Sequence, residues 1–484
     1  MEISKNDRIS DLPKHIRQHI LSFLPYKQAI ATSLLSTTWR FDWFNIENSY
    51  FPELWRSYDQ YYDNLTTSHN PISRYLHFLD NTLRRIRYFL GDDQLSIPNL
   101  KLRIHPLLAA FSPDIAEFLP RLKVKNLSLS IFLDFDFNNS NDFVISSVST
   151  LPMLSELEIY NNYLPSSIVP CLAAIVTRRL QKLSLISITI EQSKIDKVIV
   201  GCNCIESLSF EQCVGLTYLN LVGVSKLTEL VLKYNSNLAS VVMDDGATNF
   251  RYLEYVPSEL FDDGLLVLSN VGSLEERDLM SSKLPMGCVN FRLSNSCSIK
   301  KLKISCDILV QNALCMSDLE ILNIVCLEKR RLDLLRLDSC KRLTHLHITT
   351  SYSMTDECLN SNLSRLGNLK VLEIKYCDEL RHVKIAQEHL KTLILYNCRS
   401  LECVVMDCPN LSHFKYEGYI VLDLVGRSII SPCSFVELAC YRFSKIVHAN
   451  LLAVLNIFGN SKHLTLRNLR IEVLIMFLIK EKYI

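Results

Sequence analysis

From Ile205 onward, the hydrophobic residues of the chain recur in short segments of the form Leu-x-x-Leu-x-Leu. One run begins with "IESLSF" at Ile205, and its segments start at residues 205, 216, 227, 238 and 250. A second run begins with "LKVLEI" and has its starts at residues 369, 380, 390, 401 and 411. Alternation of apolar and polar residues over such short stretches predicts strands with one buried side. The pattern therefore predicts a long series of short, regularly spaced strands.

The spacing of these segments indicates a repeat architecture. A step of about 11 residues is half of the roughly 20–29 residues of a leucine-rich repeat. Two steps therefore make one coil, with a strand on one side and a short extended segment on the other. We predict an α/β solenoid, a leucine-rich-repeat horseshoe whose leucines point inward and stack between coils. Weaker copies of the segment start at Leu154, Leu180, Ile299, Leu319, Leu332 and Leu343.

The positions between the leucines of each strand are predicted to face solvent and are free to vary. They carry a mixture of charged and apolar residues, which suits a protein or peptide ligand. The candidate target-binding residues are Glu229, Val231, Lys233, His345, His347, Glu373, Lys375, Ile394 and Tyr396. By contrast, Cys213, Cys377 and Cys398 follow strands at matching positions and are predicted to be small, buried, reduced core residues.

The stretch from Ile9 to Arg40 differs from the repeats and predicts two or three short helices. Asp11 is a candidate helix cap, and Pro13 suits a first helical turn. Ile16, Ile20, Phe23 and Leu24 then recur at helical spacing, with Leu21 beside them. So small a patch buries little surface and needs a neighbour or a partner to cover its apolar side. One interpretation is an N-terminal cap that protects the first repeat.

The same stretch resembles the F-box of plant F-box/leucine-rich-repeat proteins. It contains Leu12-Pro13, the core Ile20-Leu21-Ser22-Phe23-Leu24-Pro25 and the close Leu35-Ser36-Thr37-Thr38-Trp39-Arg40, although Thr37-Thr38 stands where many relatives carry basic residues. The resemblance implies docking onto the Skp-type adaptor of SCF ubiquitin ligases and, through it, onto a cullin. The implied adaptor-binding residues are Leu12, Pro13, Ile16, Ile20, Leu21, Leu24, Pro25, Leu35 and Trp39, some of which must instead form the core of the patch.

The resemblance also suggests how the chain is divided. It implies a small all-helical F-box at residues 1–50, linker helices at 51–98 and the leucine-rich-repeat solenoid at 99–484. The function it implies is that of a substrate-recognition subunit of an SCF-type E3 ubiquitin ligase, with the repeats binding a target protein. The alternative is an interaction scaffold outside such ligases, with a degenerate F-box.

Composition and charge narrow the class of protein. The formal net charge of +1 gives no general attraction to nucleic acid or to an anionic membrane. The N-terminus lacks the apolar core of a signal peptide, so the 17 cysteines are interpreted as reduced thiols. The longest apolar run, Val473 to Ile479, is far shorter than the ~18–20 residues of a membrane helix. We expect a soluble cytoplasmic and/or nuclear protein without nucleic-acid or membrane partners.

Catalytic motifs are missing from the sequence. It contains no Gly-x-Gly, no phosphate-binding loop, no Gly-x-Ser-x-Gly and no His-Glu-x-x-His. His345 and His347 alternate on one strand, but no third metal ligand is apparent, and no Cys-x-x-Cys pair occurs. We therefore expect neither an enzyme nor a cofactor or metal site. An unrecognised site in the solenoid would require a concave pocket with convergent titratable groups.

Overall fold

The structure, a computed structural model, describes only part of the chain. The described residues are 10–24, 28, 31–32, 39, 97–104, 124–133, 151, 153–161, 179–244, 247–258, 265–270, 288–293, 299–304, 307–310, 317–326, 337–350, 354–419, 423–426, 433–440, 454, 456–458 and 461–467. They belong to two compact units, Met1–Leu216 and Thr217–Ile484.

The first unit contains a helix near the front of the chain and a parallel sheet. The helix is α1 (Lys14–Ser22). The sheet runs in the order β1 (Ile97–Ile104), β2 (Val124–Leu133), β3 (Leu154–Asn161), β4 (Lys182–Ile186) and β5 (Ser207–Glu211), each strand parallel to its neighbour. A second helix, α2 (Gln192–Gly201), connects β4 to β5. This connection is a strand-helix-strand coil of a solenoid.

The second unit has parallel strands on two sides of its coils. The main sheet has the order β7 (Glu229–Lys233), β9 (Tyr252–Val256), β12 (Lys301–Ile304), β14 (Ile321–Cys326), β15 (His345–Thr350), β16 (Val371–Lys375), β18 (Thr392–Tyr396), β20 (His413–Gly418), β22 (Phe435–Cys440) and β23 (Leu464–Arg467). A helix, α3 (Asp356–Leu363), lies between β15 and β16 in the chain.

The opposite side of these coils is formed by strands in two further sheets. One has the order β13 (Asp307–Val310), β10 (Leu265–Asn270), β11 (Cys288–Leu293), β8 (Ser240–Val242) and β6 (Tyr218–Asn220). The other consists of β17 (His382–Ala386), β19 (Cys403–Asp407) and β21 (Asp423–Gly426).

The assignment of two half-steps to one coil is confirmed. The segments that start at Leu216 and Leu238 form β6 and β8 on the second side, whereas those at Leu227 and Phe250 form β7 and β9 of the main sheet. The run from residue 369 alternates in the same way, since β16, β18 and β20 lie in the main sheet and β17 and β19 lie opposite. A parallel-strand, leucine-rich solenoid is thus the observed architecture.

The leucines of the repeat form the core, and a tight turn follows several strands. Leu230, Leu346 and Leu372 are completely buried in their strands. Ser187, Gln212, Tyr234, Tyr376 and Asn397 each directly follow a strand and have positive φ between 53° and 58°. This left-handed conformation turns the backbone sharply at the end of the strand.

The cysteines that follow the strands are buried, as predicted. Cys213, Cys377 and Cys398 have at most 1% of their surface exposed. The Sγ of Cys213 donates to the carbonyl of Leu185 at 3.3 Å, and the Sγ of Cys377 donates to that of Lys375 at 3.4 Å. Burial raises the pKa of the Cys213 thiol to about 12, so it stays protonated at neutral pH.

Several sequence predictions fall outside the described residues. These are residues 51–96 of the linker helices predicted at 51–98, residues 332–336 of the repeat copy that starts at Leu332, and the F-box residues Pro25 and Leu35. Within the described part of the chain, no helix has the length and apolar character that crossing a bilayer requires.

Candidate binding surfaces

Helix α1 has one buried and one exposed apolar side. Leu21 is completely buried, together with the side chain of Arg17 one turn earlier. Ile16 and Ile20 are each 38% exposed and Phe23 is 74% exposed. Their spacing of four and three residues puts these three side chains on one face. The helix therefore presents an apolar stripe to solvent, beside half-buried Leu12 and Leu24 and exposed Pro13.

The buried side of α1 is tied to the residues that precede it. The Arg17 guanidinium donates to the carbonyls of Ser10 (3.2 Å) and Leu12. Trp39 is buried, and its Nε1 donates to the Ser10 Oγ at 3.0 Å. The predicted cap by Asp11 is wrong: Pro13 occupies the N-cap position and no side chain caps the first turn. Proline has no side-chain acceptor that could cap the helix, and the Pro13 carbonyl accepts from the backbone N–H groups of Ile16 and Arg17.

The nine predicted target-binding residues all lie on the solvent side of the main sheet of the second unit. Glu229, Val231 and Lys233 are on β7, and the others are on β15, β16 and β18, alternating with buried residues. In-register pairing sets equivalent residues side by side across the strands. We call one such line the middle row: Val231, Glu254, Lys303, Asn323, His347, Glu373, Ile394, Lys415, Glu437 and Thr465.

Glu254 is the first of three carboxylates in the middle row that bind two basic side chains each. Its Oε1 lies 2.7 Å from the Nζ of Lys303 and 3.4 Å from the Nζ of Lys233, which belong to the two flanking strands. The Tyr252 hydroxyl donates to Oε2 at 2.9 Å. Burial opposes ionisation of Glu254, but these hydrogen bonds and positive charges outweigh it and hold its pKa below the ordinary value.

Glu373 is the second such carboxylate. Its Oε2 lies 2.5 Å from the Nδ1 of His347, and its Oε1 lies 2.6 Å from the Nζ of Lys375. The hydrogen bond with His347, followed by that from Lys375, outweighs burial and lowers the pKa of Glu373 to about 2. His347, Glu373 and Lys375 were all identified from the sequence, and the structure brings them together in one cluster.

Glu437 is the third carboxylate, and it lies at the C-terminal end of the main sheet. Its Oε2 lies 3.2 Å from the Nζ of Lys415, and its Oε1 lies 3.1 Å from the Nε of Arg467. Lys415 and Arg467 come from β20 and β23, which flank β22 on either side. We call the groups centred on Glu254, Glu373 and Glu437 the three triads.

Aromatic residues lie at the carboxyl ends of the strands β16 and β18. The rings of Tyr376 and Tyr396 meet edge to face with centroids 5.5 Å apart. The nearby Glu417 carboxylate, and then Tyr376, raise the pKa of Tyr396. His345, by contrast, has a lowered pKa because it is partly buried and lies near the positive charges of His347, Lys370 and Lys301. The face therefore offers aromatic and apolar contacts, including Ile394, between its charged groups.

Several residues of this face were missed from the sequence. Glu254, Lys303, Lys415 and Glu437 occupy the same row as the predicted His347 and Glu373. The first three lie in the segments "FRYLEY", "IKKLKI" and "LSHFKY", at the residue before the last one. Aligning all repeat segments by their leucines would have placed these residues in one line. On α1, Phe23 was recognised as apolar but not as a binding residue, although it is in helical register with Ile16 and Ile20.

The first unit has a different solvent-facing side. Ser128 donates to Glu156 at 2.8 Å and Ser130 donates to Glu158 at 3.0 Å, each across neighbouring strands. Lys182 on β4 lies 3.3 Å from Glu156. Within the described residues, no group of three or more His, Cys, Asp or Glu side chains is arranged to hold a metal ion. The contacts on both units are thus those of a protein surface built from ion pairs and hydroxyls.

Comparison with known proteins finds a family match for the segment that contains α1 and another for most of the second unit. Residues 9–41 match the family model of the F-box domain, and residues 286–484 match that of the At1g61320/AtMIF1 LRR domain. F-box/LRR-repeat protein 25 of Arabidopsis thaliana is 30% identical over 258 residues, which make up 52% of this chain and 87% of that protein.

Two further Arabidopsis thaliana F-box/LRR-repeat proteins match a similar share of the chain at slightly lower identity. At3g18150 is 28% identical over 234 residues (47% of this chain, 43% of that protein), and At5g02930 is 27% identical over 256 residues (52% and 48%). The chain thus spans somewhat less than half the length of these two relatives. With an F-box match at the exposed helix and a repeat match over the strand face, the chain belongs to the plant F-box/leucine-rich-repeat protein family.

Proposed function

We propose that this protein is the substrate-recognition subunit of an SCF-type E3 ubiquitin ligase. Its F-box docks on the Skp-type adaptor and, through that adaptor, on a cullin, while its leucine-rich repeats bind the target protein. The site of action is the cytoplasm and/or the nucleus. The chain itself does no bond-forming chemistry, and it acts by holding the target near the ubiquitin-charged enzyme, where the effective concentration of the target is raised.

The observation that carries the proposal is the exposed apolar stripe of α1. Ile16, Ile20 and Phe23 lie within the segment that matches the F-box, and they face solvent while Leu21 fills the core beneath them. Exposed aliphatic and aromatic side chains grouped on one helix face are typical of a helix that packs against a partner. The in-register strand face of the second unit supports the target-binding half of the proposal.

The test is direct binding of the full-length chain to a purified Skp-type adaptor by isothermal titration calorimetry. Ile20→Lys puts a charge into the apolar stripe, and we expect it to weaken adaptor binding by at least about tenfold. Val200→Lys is the matched control, because Val200 is an exposed apolar residue (81%) on another helix, α2. This control is expected to bind the adaptor like the unchanged chain.

Two results would overturn the proposal. One is an unchanged chain that does not bind the adaptor although circular dichroism shows it to be folded. The other is equal binding by Ile20→Lys and Val200→Lys. Either outcome would favour the alternative, an interaction scaffold whose F-box no longer engages the adaptor.

A further inference from the structure

We infer that the main strand face of the second unit takes an acidic segment of a partner protein, rich in Asp and Glu and bound across the strands over the three triads. This inference names the class of target for the substrate receptor proposed above, and it rests on that proposal. It is carried by the way in which the triads arrange their charges.

The carboxylates of the triads lie beneath the surface. Only 8% of the Glu254 side chain, 19% of that of Glu373 and 8% of that of Glu437 is exposed. Each already binds two bases, so its oxygens are occupied. A basic partner would have to displace a lysine, arginine or histidine that is already in place, and these carboxylates therefore do not offer a site for cations.

The basic groups of the triads lie above them. The exposed fractions of the side chains are 43% for Lys303, 37% for Lys375, 36% for Lys415, 64% for Arg467, and 27% each for Lys233 and His347. An ammonium group has three donors and a guanidinium has five, so each retains donors after binding one carboxylate. A solvent-facing surface with spare N–H donors over buried carboxylates attracts anionic oxygens.

The net charge of the three triads is also positive. The three triads contain five Lys or Arg residues and one His against three Glu. The outer rows of the described main-sheet strands add Lys301 and the carboxylates of Glu229 and Glu417, together with His345 and His413. With every histidine neutral, the face carries six Lys or Arg against five Glu, a net charge of +1, and its two buried charged groups are Glu254 and Glu437.

The spacing of the triads fits an extended chain. Glu254, Glu373 and Glu437 lie on β9, β16 and β22, which are separated by four and then three strand steps. At about 4.8 Å per step the triads are about 19 Å and about 14 Å apart, so about ten extended residues would reach from the first to the third. Ile394 lies between the second and third triads and offers a place for an apolar side chain of the same segment.

The distance between the triads argues against a single phosphate group as the ligand. Four of the five strong cations are lysines, which bind as point charges, and only one arginine offers a planar fork for a phosphate. Each triad also has its cations turned toward its own carboxylate rather than toward a common point. Several separate carboxylates along a chain match this distribution better than one concentrated anion.

The experiment measures fluorescence anisotropy of labelled peptides with the full-length chain. The probes are about ten consecutive glutamates, which is the length needed to span the triads, and a neutral Gly-Ser peptide of equal length. A third probe is a Gly-Ser peptide with one phosphoserine. We expect the glutamate peptide to bind at least about tenfold more tightly than the other two, and its binding to weaken as salt rises from about 50 to about 500 mM.

The triple variant Lys303→Gln, Lys375→Gln and Lys415→Gln leaves each buried carboxylate one basic partner: Lys233, His347 or Arg467. We expect it to lose glutamate-peptide binding by at least about tenfold. The matched control changes three exposed lysines outside this face, Lys226, Lys341 and Lys384, to Gln and is expected to bind like the unchanged chain.

Equal losses in the two triple variants, no binding of the glutamate peptide, or tighter binding of the phosphoserine peptide would each overturn the inference. Adaptor binding, measured on the same samples, separates this inference from the proposed function. A chain that binds the adaptor but not the glutamate peptide contradicts only the acidic-target inference. A chain that binds the peptide but not the adaptor contradicts only the ligase role.

Discussion

The Nδ1 of His347 lies 2.5 Å from the Oε2 of Glu373, on the neighbouring parallel strand. The two residues are directly opposite in the register, so their backbones hold the side chains within reach without any loop between them. The pair links two coils of the solenoid through their solvent-facing side chains. Such cross-strand pairs add to the stability that the buried leucines give. The leucines do not touch the outward-facing side chains, so they do not determine which of these pair with each other.

The ionisation of Glu373 is expected to make stability depend on pH. Its pKa is lowered to about 2 by His347 and Lys375, below the ordinary value of 4.5. A carboxylate with a lowered pKa stabilises the fold fully above its ordinary pKa, and this contribution is lost as pH falls through the lowered value. Glu373→Gln should therefore reduce the free energy of unfolding by about 1–3 kcal/mol near pH 7. The difference from the unchanged chain should shrink between pH 4.5 and about 2.

Urea denaturation followed by circular dichroism over this pH range measures the effect. The matched control is Glu402→Gln, which changes an exposed glutamate in the same unit and should shift the free energy of unfolding by no more than about 0.5 kcal/mol. A Glu373→Gln penalty that stays the same from neutral pH down to the acid limit would show that the loss comes from packing and not from ionisation.

Gly215 is expected to tolerate no side chain. Its φ is +85°, and an added Cβ would lie 2.3 Å from the carbonyl oxygen of Ile190. Gly215→Ala should therefore cost at least about 3 kcal/mol, because it combines an unfavourable backbone conformation with a backbone clash. Gly223 has the same φ but open space around it, so Gly223→Ala should cost about 1–2 kcal/mol. Equal losses of unfolding free energy in urea would contradict the role of the clash.

The buried cysteines are expected to resist alkylation. Burial raises the pKa of Cys213 to about 12 and that of Cys408 to about 11, and both residues are buried. Iodoacetamide at about pH 8 should label the partly exposed Cys204 while Cys213 and Cys408 remain unlabelled, because the thiolate is the reacting form. Peptide mass spectrometry measures the labelling, and urea should make all three react. Labelling of Cys213 in the native chain at the rate of Cys204 would show that its coil opens.

The repeats made the solenoid predictable, because burial of every second residue leaves a periodic trace. The position of His347 opposite Glu373 follows from the same periodicity once the segments are aligned by their leucines. Glu254 and Lys303 lie at the position equivalent to His347 in the segments "FRYLEY" and "IKKLKI", so aligning these segments as well would have placed them in the same row. The sequence also did not predict that the basic side chains of this face are more exposed than the acidic ones. The burial of each side chain depends on its conformation, which the order of residues does not give.

The two faces of α1 could not be separated from the sequence. The apolar residues of α1 are Ile16, Ile20 and Leu21, and helical periodicity does not say whether Ile20 or its neighbour Leu21 is buried. On the buried side of the helix, Arg17 donates to the Ser10 carbonyl, and Trp39 donates to the Ser10 Oγ in a contact between residues 29 positions apart. No local pattern encodes such a contact, although both ends of it lie within the F-box motif.

Because Trp39 is buried and Ile20 lies on the exposed face of α1, substitutions at the two residues should have opposite effects on local stability and on adaptor binding. Trp39→Phe removes the Nε1 donor to Ser10, which should destabilise the F-box locally by about 0.5–1.5 kcal/mol. Amide hydrogen exchange in α1 should therefore become faster by about two- to tenfold, while adaptor affinity falls only as far as the folded fraction falls. Ile20→Lys should weaken adaptor binding without changing exchange in α1, because the Ile20 side chain is 38% exposed and a lysine there can extend its ammonium group into solvent. Faster exchange in Ile20→Lys would mean that Ile20 belongs to the core of the F-box and that its exposed face is not the docking face.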